Sequence, residues 1–369
     1  MGVLYSEGGK EQASDEARAA CVKPTVAVIR RDRGIQPHAN LPPALSRDTI
    51  CLTMTRLVFM GTPDFAVPSL EALVDVHFVD VVGVVTRPDR PAGRGQPLVP
   101  PPVKQAALGH GLPLFQPQSL RLPEAVAHLA AWKPDVIVVA AFGQILRQDV
   151  LDLPPHGCLN VHASLLPRWR GNPIAAAILA GDEVTGVTIM RMDAGLDTGP
   201  ILAQREERIR PDDTRGTLEE RLARLGAGLL LDTLPPYLAG DLLPQPQPEE
   251  GVTVAGQLRK EDGWLDWSRS AVELDRQVRA FNPWPGAFTT WRGRRLKVLK
   301  AGSLPSWRGH APPGTVIALD DGAAVAVVTG EGALRLEEVQ WAGKRAMDVT
   351  AFLCGQRECL GSRLGVAEE

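Results

Sequence analysis

Asn160 and His162 close an otherwise apolar predicted strand, Cys158 to His162, and a Pro-bounded loop follows them through Gly171. Alternation with period two puts both side chains on one face of that strand. In open α/β sheets, ligands bind where parallel strands end. An isolated Asn-x-His is more often structural, so the pair alone leaves both readings open. A second segment, Asp193 to Pro200, follows another predicted strand and carries Asp193, Gly195, Asp197 and Gly199. With so little side-chain bulk, its backbone can approach a ligand closely; an acidic, solvated turn would have the same composition. Together the segments supply an amide donor (Asn160), an acid or base (His162) and a carboxylate (Asp197). That set suits acyl transfer to an amine. Asn and His can stabilise the oxyanion of a tetrahedral intermediate, and Asp can orient the imidazole. An activated acyl donor needs no Ser or Cys nucleophile. The absence of GxSxG disfavours a serine hydrolase.

Charge marks two more segments. From Arg276 to Arg308 there are eight Lys and Arg and no Asp or Glu, with Trp284, Trp291 and Trp307 interleaved. Sign and composition fit an RNA-binding footprint; one solvated face of a folded domain would also carry them. The loop from Arg87 to Lys104 adds Arg87, Arg90, Arg94 and Lys104 against Asp89 alone. A Gly-flanked Arg94 is poor packing material and well placed to reach a phosphate. The turn Gly61-Thr62-Pro63-Asp64 opens a predicted helix and is a weak anion-site signal. It is neither GxGxxG nor a Walker sequence, and a plain tight turn explains it as well.

The elements that must position these residues alternate between strand and helix from 56 to about 240. Strands are predicted at 56–60, 79–86, 114–116, 135–141, 158–162 and 185–190. Helices are predicted through Val74 with Asp64 as N-cap, from Val103, at 123–132 and at 217–237. This order argues for an α/β fold with a doubly wound, mostly parallel sheet. Residues 241–256 are Pro- and Gln-rich without periodicity and read as a linker. Six of the eight Trp lie beyond it. There a helix from Ser270 to Ala280 precedes short apolar runs separated by turns such as Arg292-Gly293 and Asp321-Gly322, the pattern of a small β-barrel.

Length and composition bound the alternatives. The chain has 369 residues, 44% hydrophobic and 22% charged, with a net charge of -3; this is an ordinary globular mix for about two domains. With 32 Pro and 36 Gly, a long coiled coil is excluded. No run approaches the ~20 apolar residues that span a bilayer. Five scattered Cys without CxxC give no zinc ligand set or disulfide framework. Cys354 and Cys359 are expected to be reduced packing residues, and a cytoplasmic setting fits. Residues 1–53 lack a signal peptide's order. Met54 leads straight into Leu57-Val58-Phe59-Met60, so translation is expected to start near Met54, with a disordered or mis-assigned segment before it.

The ordered motifs FMGTPDFAVPSL (59–70), TRPDRPAGRG (86–95), NVHASLLPRWRG (160–171), TGVTIMRMDAGLDTG (185–199) and RAFNPWPG (279–286) resemble the methionyl-tRNA formyltransferase family. The second and last, with the PRWRG continuation, narrow the likeness from the wider folate-dependent superfamily. The resemblance implies a Rossmann-like catalytic domain (54–240, the formyltransferase fold), the linker (241–256) and an OB-like small β-barrel that binds tRNA (257–365). It implies formyl transfer from 10-formyltetrahydrofolate to the amine of methionyl initiator tRNA, without a metal and by a monomer. The family's catalytic residues fall on Asn160, His162 and Asp197, and its folate-contacting loop on Ser164, Leu165, Leu166 and Pro167. The tRNA contacts expected are Arg90, Arg94, Arg168, Arg292, Arg294, Arg295 and Lys297. One departure is local: the family's segment after PRW is one residue longer than Arg170-Gly171-Asn172-Pro173-Ile174-Ala175. Competing readings are a formyltransferase for a small amine and a catalytically idle RNA binder. A nicotinamide dehydrogenase is disfavoured because the glycine fingerprint is missing.

Overall fold

The computed structural model describes residues 54–91, 97–319 and 324–366. The expectations for 1–53, Arg94 and the Asp321-Gly322 turn lie outside the described residues.

The sheet starts at β1 (Thr55–Gly61). Leu57 and Phe59 face one hydrophobic cluster, and Val58 and Met60 face another. All four are fully buried, so both faces of the strand are covered, as period-two alternation requires of a central parallel strand. After β1 the chain makes a 3-10 turn over Asp64–Ala66 and enters α1 (Val67–Val74). Asp64 lies inside that turn, and no side chain caps it; the expected N-cap is therefore not formed. β2 (Val79–Val85), α2 (Pro102–Gly109), β3 (Leu114–Phe115), α3 (Pro123–Ala131), β4 (Val136–Ala140) and β5 (Cys158–His162) follow.

Strands β3-β2-β1-β4-β5 are mutually parallel in that spatial order. The order reverses at β1, so the crevice at the carboxyl ends of β1 and β4 is a topological switch point. The chain continues through α4 (Pro173–Ala180) to β6 (Val184–Arg191) and β7 (Ile201–Arg208). These add antiparallel strands beyond β5 and complete a seven-stranded sheet. α5 (Arg215–Leu238) covers the same face as α1, burying Leu218, Leu222 and Leu230 against Val161 and Val187. Gly226 permits the close approach, because a Cβ there would meet Val161 Cγ1 at 2.7 Å.

The Pro- and Gln-rich stretch after α5 is not a free linker. Ile201 and Gln245 exchange two backbone hydrogen bonds of 2.7 and 2.8 Å. Val254–Ala255 pairs in parallel with Arg170–Gly171. The stretch is a strap laid across the α/β domain. Its lack of periodicity reflects edge pairing with few buried side chains.

Beyond the strap, α6 (Ala271–Ala280) is capped by Ser270 and Glu273. It leads into β8 (Ala287–Trp291), β9 (Arg294–Leu304), β10 (Val316–Ala318), β11 (Val325–Val328), β12 (Ala333–Trp341) and β13 (Met347–Asp348). Their order is β8-β9-β12-β11-β10, antiparallel, with β13 on β12. Among the described residues the edges β8 and β10 do not pair, so the sheet is a half-barrel. Arg292 and Gly293, both at positive φ, make the tight two-residue turn that a right-twisted hairpin favours. Trp267, Trp291 and Trp341 are buried in the core of this domain. Cys359 is buried, but Cys354 is exposed, so the expectation of a packing residue fails there. The hydrophobic core of the α/β domain continues into this half through Ala280 and Phe281. Asn282 O accepts from Gly216 N at 3.1 Å, and Arg279 donates to Asp213 O at 3.2 Å.

Candidate active site

β5 ends at the carboxyl edge with Leu159 and Val161 packed into the α1–α5 side. Asn160 and His162 therefore share the opposite face, and both are buried. His162 Nε2 lies 2.9 Å from Trp169 O. A carbonyl oxygen only accepts, so Nε2 carries the hydrogen of this bond. Nδ1 is left facing Asp197 Oδ2 at 3.7 Å, beyond hydrogen-bond reach. Asn160 Nδ2 approaches Asp197 Oδ1 at 3.4 Å. The third group, 35 residues after His162 in the chain, is brought in by the turn between β6 and β7. Gly171 N donates to Asp197 Oδ2 at 2.9 Å. The three residues singled out from sequence thus converge, with an imidazole nitrogen, an amide N–H and a carboxylate around one small space.

The loop after β5 is held internally. Ser164 Oγ donates toward Arg168 O (2.7 Å) and Trp169 O (3.0 Å). Thr188 Oγ1 donates to Ser164 O at 2.6 Å and accepts from Leu166 N at 3.1 Å. Gln204 Nε2 donates to Leu166 O at 2.9 Å. Ser164 and Leu166 are buried, and their polar groups shape the loop. Leu165 and Pro167 are half-buried. Gly171 adopts φ 91° and α4 starts directly at Pro173.

The basic candidates divide. Arg168 makes a two-pronged pair with Asp182 at 2.9 and 2.7 Å and lies over the Trp169 ring. Asp182 raises its pKa. Its guanidinium remains partly exposed beside that pair. Arg292 pairs with Glu358 and lies over Trp291. Arg294 and Arg295 lie over Trp341 and Phe288, with guanidinium carbons 4.3 and 3.9 Å from the ring centres. They sit with Lys297 on β9. Arg90 is exposed on a small hairpin, paired with Val99. Lys104 is tied to Asp89 at 2.7 Å.

The sequence reading missed Gln247 of the strap. Its Nε2 donates to Asp197 O and Gly199 O, each at 2.8 Å. Between strap and loop lies a cavity of about 500 Å³ lined by Arg170, Thr198, Pro200, Gln247 and Val252, among others. Among the described residues, no group of three or more His, Cys, Asp or Glu is placed to hold a metal ion.

A formyl transferase family model matches residues 55–234, and a formyl transferase C-terminal domain model matches 257–357. A methionyl-tRNA formyltransferase of Magnetococcus marinus is 51% identical over 316 residues, 85% of this chain and 99% of the relative. This chain belongs to the methionyl-tRNA formyltransferase family. The enzyme of that name from Myxococcus xanthus is 50% identical over 86% of this chain and all of its own length. Among solved structures, an N-formyltransferase of Helicobacter canadensis, in complex with folinic acid and dTDP-3-aminofucose, superposes with a TM-score of 0.56 at 18% identity. That match covers 77% of this chain and 98% of the other. HypX of Aquifex aeolicus matches 84% of this chain with a TM-score of 0.54 at 19% identity, and the match spans half of HypX. At these identities the likeness is one of fold.

Proposed function

We propose that this enzyme transfers the formyl group of 10-formyltetrahydrofolate to the α-amine of methionyl initiator tRNA, with Asn160, His162 and Asp197 as the reacting set. The convergence of these three side chains at the carboxyl end of β5 carries the reading. The amine attacks the formyl carbon, and the carbonyl opens to an oxyanion. Asn160 Nδ2–H and protonated His162 Nδ1 are the donors available to that oxygen, because Nε2 is committed to Trp169. Asp197 stands beside both and accepts the proton that the attacking nitrogen must lose. Return of the electron pair re-forms the carbonyl and breaks the bond to the folate nitrogen. That nitrogen takes up, as it leaves, the proton that Asp197 received from the amine, which returns Asp197 to its starting state. No protein nucleophile enters the balance.

The folate is proposed to enter at the carboxyl edge of the sheet, where β4 and β5 end. The tRNA is proposed to meet the β9 surface and the Arg90 loop. A small amine would not need that basic surface, which disfavours the amino-sugar reading. The enzyme is proposed to act as a monomer in the cytoplasm, beside translation. No described helix is long and apolar enough to cross a membrane.

The test is formylation of methionyl initiator tRNA, with elongator methionyl-tRNA and an amino sugar in parallel. Initiator-selective product is expected. His162→Ala and Asp197→Asn are each expected to lower kcat by ~10²–10⁴-fold. Near-full turnover in either variant would remove that residue from the mechanism. Intact tRNA binding without turnover in the unmodified enzyme would favour the idle RNA binder.

A further inference from the structure

Gln247 reaches the Asp197 loop from the strap, 50 residues along the chain. Inside the loop, Asp193 Oδ1 accepts from Gly195 N at 3.0 Å and from Thr198 Oγ1 at 2.6 Å, but neither bond reaches Asp197. Asp193 to Leu196 are exposed, so no core packs them. Asp197 sits at φ 51°, a left-handed conformation that costs a non-glycine residue ~1–2 kcal/mol. The cavity between strap and loop leaves this side without close packing. Across it, the Gln247 amide uses all of its hydrogen-bonding capacity. Nε2 gives one hydrogen each to Asp197 O and Gly199 O. Oε1 accepts from Arg170 Nη2 at 2.8 Å and Nε at 3.2 Å. Two carbonyls that only accept and a guanidinium that only donates fix which end of the amide is which. The Asp197 carboxylate is held separately, by Gly171 N from the residue after Arg170. Strap pairing at Arg170–Gly171 and the Gln247 amide therefore grip the same aspartate through carboxylate and backbone.

We propose that Gln247 is a positioning residue for the formyl transfer, setting Asp197 against Asn160 and His162. The inference rests on the catalytic reading of Asp197. It assigns the strap a part in the chemistry of a site to which it contributes no reacting group. A glutamate at 247 keeps the size and the contact to Arg170 but cannot donate to either carbonyl. An alanine loses all four bonds.

The experiment measures kcat, and KM for methionyl-tRNA, in Gln247→Glu, Gln247→Ala, Asp197→Asn and the double variant Gln247→Ala/Asp197→Asn. Thermal melts confirm that each is folded. Both Gln247 variants are expected to lose roughly 10- to 100-fold in kcat, as misplacement of a reacting group does. KM should hold, since the lost interaction acts on the transition state. In the Asp197→Asn background, Gln247→Ala is expected to cost little more, because a residue that acts through another is silent once that other is gone. Wild-type kcat in folded Gln247→Glu would overturn the proposal, as would losses that multiply in the double variant. Full activity of Asp197→Asn by itself would instead overturn the reading of Asp197, and the positioning role with it. If Gln247→Ala does not fold, the near-isosteric Gln247→Glu still decides.

Discussion

His162 has one ring nitrogen spent on Trp169 and one turned to the site. That division makes the loop after β5 part of the catalytic unit, since Trp169 O fixes the ring. Trp169 itself stands at φ 57°, with its indole N–H on Asp182 at 2.8 Å. Gly171 is the neighbouring pivot. Its φ of 91° is closed to most side chains, and a methyl group there would run into Ala255 O. Gly171→Ala is expected to cost roughly 1–3 kcal/mol and to lower kcat as well, because Gly171 N holds Asp197. A melt and a kinetic assay on one preparation check both; a wild-type Tm would show that the strap yields easily. Asn160, His162 and Asp197 were legible in the sequence because polar side chains interrupt an apolar strand and a glycine-rich turn. Gln247 was not, since a glutamine among prolines carries no local signal and its partners lie far away in the chain. Ser164 and Arg168 sit in a legible motif, but their partners, the carbonyls of Arg168 and Trp169 for one and Asp182 for the other, are set by the fold.

At the level of elements, the buried parallel strands were the most legible part, because continuous apolar runs such as 136–140 have few other uses. β7 escaped notice. It is an edge strand with the polar sequence ILAQREER, exposed over Gln204 to Glu206. α4 escaped for the opposite reason: PIAAAILA is apolar all round and shows no amphipathic period. α6 displays its start openly. Ser270 Oγ accepts from Glu273 N, and Glu273 accepts from Ser270 N and its hydroxyl at 3.0 and 2.8 Å. The Ser270 N–H, its hydroxyl and then Arg269 lower the Glu273 pKa from 4.5 to about 2. A depressed carboxylate contributes stability above its unfolded pKa and loses it as pH falls through the folded one. The stability advantage over Glu273→Gln should therefore be full above pH 4.5 and shrink as pH falls toward 2. Urea melts across the upper part of that range measure it; an advantage independent of pH would remove the charge from the cap.

Over the whole molecule, a net charge of -3 coexists with a cationic strand in the half-barrel. Lys297 lies on β9 beside Arg294 and Arg295, whose guanidinium groups rest on aromatic rings. Such stacking keeps the stem packed while the charge faces out. If these groups meet tRNA phosphates, Lys297→Gln should weaken binding at every tRNA sequence. The slope of log affinity against log salt should fall by about one. Arg292, already opposed by Glu358, should change the slope far less. Equal slopes for wild type and Lys297→Gln would move the tRNA path off β9.

The strap also bears on how such enzymes can be recombined. Residues 241–256 read as the natural seam at which to exchange one half-barrel for another. Yet this seam carries Gln247 to the Asp197 loop and Thr253 to Trp169, whose backbone N–H donates to Thr253 Oγ1 at 2.8 Å. A chimera joined at residue 240 would import a foreign strap into its own catalytic centre. One joined after Ala255 would leave the centre intact and exchange the RNA surface alone. The boundary that matters for inheritance of chemistry therefore lies at the far end of the stretch.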